Sequence, residues 1–226
     1  MRSSSLRLPA TTLVLLLTLI APAAANPSAG DRSTTLSDTV RESLHCLERG
    51  EASDDQAIKL HWYERGKTLA ESAIRENDRD ANAHFALFGN WGRWLQADGW
   101  VKNAFRLPAL QRELDRTLEL NPNHADALVA KGGLYLQLPG FLGGDPEKAR
   151  PLLERAIELN PHSVGGRLEL AGYWLHEKQP DKARDLAAEA LKLAKAQGRE
   201  RFASRATKLL EEIGPPRAQA HARKQL

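Results

Sequence analysis

The chain has 226 residues, and its 42% hydrophobic content is enough for one domain with a sizeable buried core. Ala, Leu, Glu, Lys and Arg dominate and no series of alternating Val/Ile/Thr runs occurs, which favours helices over strands. A single cysteine, Cys46, excludes an intramolecular disulfide; we expect a buried thiol on an early helix, with an intermolecular bridge or a reactive thiol as the alternatives.

The N-terminus has the pattern of a secretory signal peptide cut after Ala25. Arg2 and Arg7 precede a short apolar core at 13–20, and small residues lead to the cut. A membrane anchor needs roughly 20 apolar residues, so we expect no membrane span after cleavage. Removing residues 1–25 takes two arginines from the 32 basic residues and leaves 30 against 29 acidic ones. This near neutrality gives no electrostatic case for binding nucleic acid.

Residues 26–35 are rich in Ser, Asp and Gly and are predicted to form a flexible lead. A first helix is expected from Leu36 to Glu48, and Gly50–Asp55 should end it. Asp54 or Asp55 can cap a second helix that runs to about Glu76. Its candidate inward residues are Ile58, Trp62, Leu69, Ala73 and Ile74.

The rest of the chain repeats itself. The segments 117–122 and 156–161 both end in Glu-Leu-Asn-Pro, and the helices that begin near Ala81, Ala125 and Val164 align with one another. A repeat of this length is typical of a helical array. The run at 199–213 has one apolar face and is predicted to cap the array, and residues 215–226 are predicted to be a disordered tail.

This pattern resembles the tetratricopeptide repeat family. A small residue followed by an aromatic one marks the first helices, two small residues mark the second helices, and a proline closes the repeat: Gly132 and Tyr135, Ala171 and Trp174, Ala149 and Ala156, Ala183 and Ala190, Pro122 and Pro161. The resemblance covers roughly residues 36–195. It implies an all-α, right-handed helical-repeat solenoid over 36–214, with about four helix pairs and a C-terminal capping helix.

Two repeats are longer than the pattern requires. The surplus lies at 96–108 and 138–145, between first and second helices, and corresponding turns of a solenoid stack on one edge. These inserts are unusually apolar for turns, with Trp100, Phe105, Leu138, Phe141 and Leu142. Either they pack on each other and seal the edge, or they form the lip of a ligand groove.

In tetratricopeptide arrays the first helices line a concave face, so the resemblance also implies candidate binding residues. Glycine recurs there at matching positions, either to make room for a ligand or because a neighbouring helix approaches closely. The candidates on this face and on the inserts are Phe85, Gly89, Arg93, Trp94, Trp100, Val129, Gly133, Gln137, Phe141, Leu168, Gly172 and His176.

No catalytic, cofactor or metal motif occurs: the seven histidines are scattered, and His124 and His162 are expected to be solvated turn residues. We therefore expect a non-enzymatic adaptor of the bacterial periplasm that holds a peptide or protein segment in its groove. One alternative is a subunit that binds a small apolar ligand, because the Leu-Pro…Gly-Gly-Asp insert resembles one in helical-repeat subunits associated with TRAP-type transporters. The other is an oligomeric scaffold.

Overall fold

A computed structural model describes residues 36–214, with only the backbone of Trp100, and this part of the chain is helical without strands. The predicted signal peptide, flexible lead and disordered tail lie outside the described residues. The helices are α1 Asp38–Ala52, α2 Gln56–Glu76, α3 Ala81–Asp98, α4 Trp100–Asn103, α5 Leu107–Leu120, α6 Ala125–Gln137, α7 Pro146–Leu159, α8 Val164–His176, α9 Pro180–Ala196 and α10 Glu200–Ile213. Short 3-10 turns lie at Ala104–Arg106 and Gly140–Leu142.

Consecutive helices pack as antiparallel pairs. The pairs are α1 with α2, α3 with α5, α6 with α7, and α8 with α9, and α10 packs on α9. First helices also lie side by side, α1 beside α3 and α6 beside α8. The predicted all-α helical-repeat architecture, with four pairs and a capping helix, is confirmed.

The repeated Asn-Pro ending stops the second helices. The amide of Asn121 donates to the carbonyl of Thr117 at 2.9 Å, and the amide of Asn160 donates to that of Ala156 at 2.9 Å. Both asparagines have extended backbones, as expected of a residue before proline, whose ring disfavours the helical conformation there.

Small residues let the paired helices approach. A Cβ on Gly132 would lie 2.7 Å from Cγ of Leu153 on α7, so only glycine fits there. Ala149 and Ala156 are fully buried on α7, as are Ala183 and Ala190 on α9. The aromatic partners of these residues, Tyr135 and Trp174, are half-buried against the same core.

The first pair departs in part from the predictions. Helix α1 ends at Ala52, within the segment Gly50–Asp55 that was expected to end it but past Glu48, and Gly50 lies in the helix against the ring of Tyr63. The buried stripe of α2 was also wrong in part: Ile58 is 47% exposed, and Trp62 and Leu69 are only half-buried. The buried residues of α2 are Tyr63, Gly66, Ala70 and Ala73.

A buried polar network replaces large apolar side chains in this pair. The hydroxyl of Ser43 donates to the carbonyl of Gly66 at 2.7 Å, and the amide of Asn90 donates to the carbonyl of Ser43 at 3.0 Å. Gly66 has no room for a Cβ because the Asn90 side chain lies against it. The three residues tie α1, α2 and α3 together, and the shift of the α2 stripe follows from this close contact.

Candidate functional site

The apolar side chains predicted to line the groove are buried. Phe85, Val129 and Leu168 are 5%, 1% and 1% exposed. Phe85 lies 4.6 Å from the ring of His124, and Leu168 packs on Ala203 and Ala206 of α10. In this conformation these three residues belong to the core and offer little surface to a partner.

Helix α10 accounts for part of this burial, because it also covers polar positions of the first helices. Arg205 on α10 pairs with Glu169 on α8 at 2.8 Å, and the carboxylate of Glu169 is buried. Arg199, just before α10, interacts electrostatically with Asp126 of α6 and with Glu48 and Glu51 of α1. The segment that begins α10 is therefore near both α1 and α6.

The three matching glycines have different surroundings. A Cβ on Gly89 would meet Cδ2 of Leu47 at 3.1 Å, and one on Gly133 would meet Oε2 of Glu169 at 3.4 Å. A Cβ on Gly172 would meet nothing within 4 Å. Helix packing thus explains Gly89, a buried carboxylate lies beside Gly133, and only Gly172 faces open space.

The remaining groove candidates have different surroundings. The Trp94 ring packs on the core cluster around Leu110, and the Gln137 side-chain oxygen is buried without a hydrogen-bond partner among the described residues. His176 is exposed and lies 3.0 Å from Glu177. Of Trp100 the structure describes only the backbone.

His124 is not the solvated turn residue that was predicted. Its Nδ1 accepts a hydrogen bond from the amide of Ala127 at 3.2 Å and so caps α6. Burial lowers the pKa of His124 to about 4. Burial also raises the pKa of the nearby Asp126 to about 6, although Arg199 opposes this shift. His162 is exposed, as predicted.

Residues of both inserts pack into one core cluster. The side-chain amide of Gln111 on α5 donates to the carbonyl of Leu142 at 3.3 Å, and Leu138 and Leu142 pack on the cluster that contains Leu107. We call the segments 99–106 and 138–145 the insert edge. Asp145 stands at the start of α7, where its carboxylate pairs with Lys148 at 2.9 Å, and Lys148 together with the amides of the first turn lowers the pKa of Asp145.

The same edge leaves large apolar side chains in solvent. Val101 is 96% exposed, Phe105 74% and Phe141 85%. The leucines of the inserts therefore pack inward, the phenylalanines point outward, and a role of the inserts as the lip of a ligand groove stays a prediction. Phe105 was not among the predicted binding residues although it lay in the recognised insert.

A polar cleft of about 320 Å³ lies where α10 approaches the first three helices. Its walls come from the end of α1, the start of α2, the end of α3 and the start of α10: Glu51, Gln56, Lys59, Tyr63, Arg93, Gln96, Ala97 and Arg201. Arg93 pairs with Glu51 at 2.6 Å. Of these residues the sequence indicated only Arg93, because the cleft depends on the contact between the two ends of the array.

Within residues 36–214 no group of acidic, histidine or cysteine side chains could hold a metal ion, and no helix is long and apolar enough to cross a membrane. Cys46 is fully buried, and burial raises the pKa of its thiol. The predicted buried thiol on an early helix is confirmed.

Comparison with known proteins supports the repeat assignment. Residues 141–206 match the family model of the tetratricopeptide repeat. No curated protein matches the sequence. A thermophilic tetratricopeptide repeat protein of Thermus thermophilus is 22% identical, with 72% of this chain and 98% of that chain covered and a TM-score of 0.39. The family match covers α7, α8 and α9 and identifies the tetratricopeptide repeat in that part of the chain.

Proposed function

We propose that the protein is an exported, non-enzymatic adaptor that binds a segment of a partner protein. A protein-interaction role accords with the tetratricopeptide fold. The observation that carries the proposal is the insert edge, where Phe105 and Phe141 project into solvent, one from each insert. Exposed clusters of large apolar side chains are typical of interaction surfaces.

The insert edge binds the partner in this proposal, in place of the predicted concave groove. The groove residues Phe85, Val129 and Leu168 are buried, whereas the edge residues would bury apolar surface only against another molecule. Arg106 adds a cation to the edge, with its guanidinium 5.2 Å from the ring of Phe105, whereas Lys102 is paired with Asp98 at 2.8 Å. The fitting partner is a segment with large apolar side chains and a carboxylate that can pair with Arg106.

Site-specific photocrosslinking tests the surface. A crosslinking amino acid at position 105 or 141 should capture the same partner, and one at position 192 on α9 should not. The double variant Phe105→Ser/Phe141→Ser should weaken binding of that partner by at least about a hundredfold, because each buried Phe is worth about 1.5–3 kcal/mol. Ile58→Ser, which removes another exposed apolar side chain, is the control.

Three outcomes are distinguishable. Equal binding by the double variant and the control would reject the edge. A crosslink of the chain to itself, with a dimer mass in light scattering that the double variant lacks, would identify an oligomeric scaffold. Loss of binding by Gly172→Trp alone would return the site to the concave face, since Gly172 is the groove glycine with open space.

Export rests on the N-terminal pattern of Arg2, Arg7 and the apolar core at 13–20. We expect the protein in the periplasmic fraction of its source bacterium, with Asn26 as its first residue. The intact mass of the purified protein tests this directly. A mature chain that begins at Met1 or Arg2, or that stays with the cytoplasmic fraction, would exclude export through this segment.

A further inference from the structure

The cleft between α10 and the first three helices carries unbalanced positive charge. Lys59, Arg93 and Arg201 line it, and Glu51 is the one carboxylate among its lining residues. Glu51 is already paired with Arg93, and both of these side chains are largely buried. Two cationic groups, on Lys59 and Arg201, therefore face the cleft without a carboxylate of their own.

Neither of these cations pairs with a carboxylate in the described part of the chain. Lys59 forms no ion pair within residues 36–214, although it is half-buried. Arg201 donates to the main-chain carbonyl of Glu51 and not to a carboxylate. A guanidinium keeps further donors in its planar fork after one such bond, and that fork matches the oxygens of a carboxylate or phosphate.

The other walls supply neutral donors. Burial raises the pKa of Tyr63 to about 12, so its hydroxyl stays protonated at neutral pH and can donate. Gln56 adds a side-chain amide at the start of α2, although that amide contacts the carbonyl of Ala97 in this conformation. A volume of about 320 Å³ lies at the lower end of the range for small-molecule sites.

We propose that this cleft binds a small organic anion whose carboxylate or phosphate oxygens lie between Lys59 and Arg201. The two cations come from α2 and α10, so a bound anion connects the last helix of the array to its first repeat. The site is independent of the insert edge, because none of its lining residues belongs to that edge.

Isothermal titration calorimetry of the mature protein at low ionic strength tests the proposal, with citrate as the carboxylate probe and glycerol 3-phosphate as the phosphate probe. We expect at least one probe to bind with Kd below about 1 mM. Lys59→Gln and Arg201→Gln should each weaken binding about tenfold or more. Lys192→Gln is the control, since it removes the same charge from an exposed position on α9 outside the cleft.

Thermal melting provides a second measurement. The probe that binds should raise the Tm of the wild type and of Lys192→Gln, and leave the Tm of the Lys59→Gln/Arg201→Gln double variant unchanged. Preference for citrate or for glycerol 3-phosphate decides between the two oxyanions. No heat from either probe at about 10 mM, or equal binding by the double variant and the control, would overturn the assignment.

Discussion

His124 should make the fold sensitive to acid. Its Nδ1 accepts the capping hydrogen bond from Ala127, and this bond requires an unprotonated nitrogen. The pKa of the folded state, about 4, lies below the ordinary value of 6.5, so the folded protein resists protonation at this site. The stabilising effect is complete above pH 6.5 and is lost as the pH falls toward 4.

The expected size follows from linkage. Between pH 7 and pH 5 the unfolded histidine takes up a proton while the folded one does not, which costs about 2 kcal/mol of unfolding free energy. Asp126 acts in the opposite direction. Its folded pKa of about 6 is above its ordinary value of 3.8, so its contribution is greatest at low pH and is lost as the pH rises through 6. Between pH 7 and pH 5, protonation of Asp126 in the folded state raises the free energy of unfolding by about 1 kcal/mol.

Single variants separate the two effects. His124→Asn keeps a capping side chain and removes the group that takes up a proton. Between pH 7 and pH 5 the change in its free energy of unfolding should therefore be about 2 kcal/mol more favourable than that of the wild type. Asp126→Asn should show a loss about 1 kcal/mol larger than that of the wild type. Urea unfolding followed by circular dichroism at pH 7, 6 and 5 measures both slopes. If all three proteins lost stability in parallel, neither group would titrate as the structure requires.

Two further predictions concern helix packing and a buried thiol. Gly132→Ala should destabilise the fold by about 1–3 kcal/mol, because the added Cβ would meet Leu153. Gly172→Ala adds a Cβ in open space and should be neutral or stabilise the fold by up to about 1 kcal/mol. Thermal unfolding of both variants measures the difference, and equal Tm values would contradict the packing argument. Cys46 should not react with a thiol reagent in the native protein and should react fully in urea, and fast modification under native conditions would show that α1 opens.

The repeat architecture could be predicted from sequence because its causes are local. The Asn-Pro endings, the small residues that face a paired helix and the acidic cap at Asp55 each act within about one repeat of their own position. The first pair was harder to predict. Its α2 stripe is set by the contact of Gly66 with Asn90 on another helix, and hydrophobic periodicity alone favoured Ile58 and Trp62.

The family pattern predicted which helices carry the groove residues but not whether those residues are exposed. The positions of Phe85, Val129 and Leu168 on first helices were right, but exposure depends on what covers a face, and that is a property of distant segments. Arg199 belongs to the connection before α10, yet its electrostatic partners lie on α1 and α6. Hydrophobic periodicity within one repeat cannot predict a contact between such distant segments.

The approach of α10 to the first helices also creates the polar cleft, whose lining residues come from α1, α2 and α3 at one end of the array and from α10 at the other. Arg201 reaches the carbonyl of Glu51, 150 residues away in sequence, and Lys59 lies nearby with no ion pair in the described part of the chain. Closing an array in this way brings cations from α2 and α10 to one place, and their mutual repulsion opposes the closure. An anion between them would remove that repulsion, so anion binding and closure of the array should stabilise each other. The insert edge lies outside this coupling, and variants at Phe105 and Phe141 should leave anion binding unchanged.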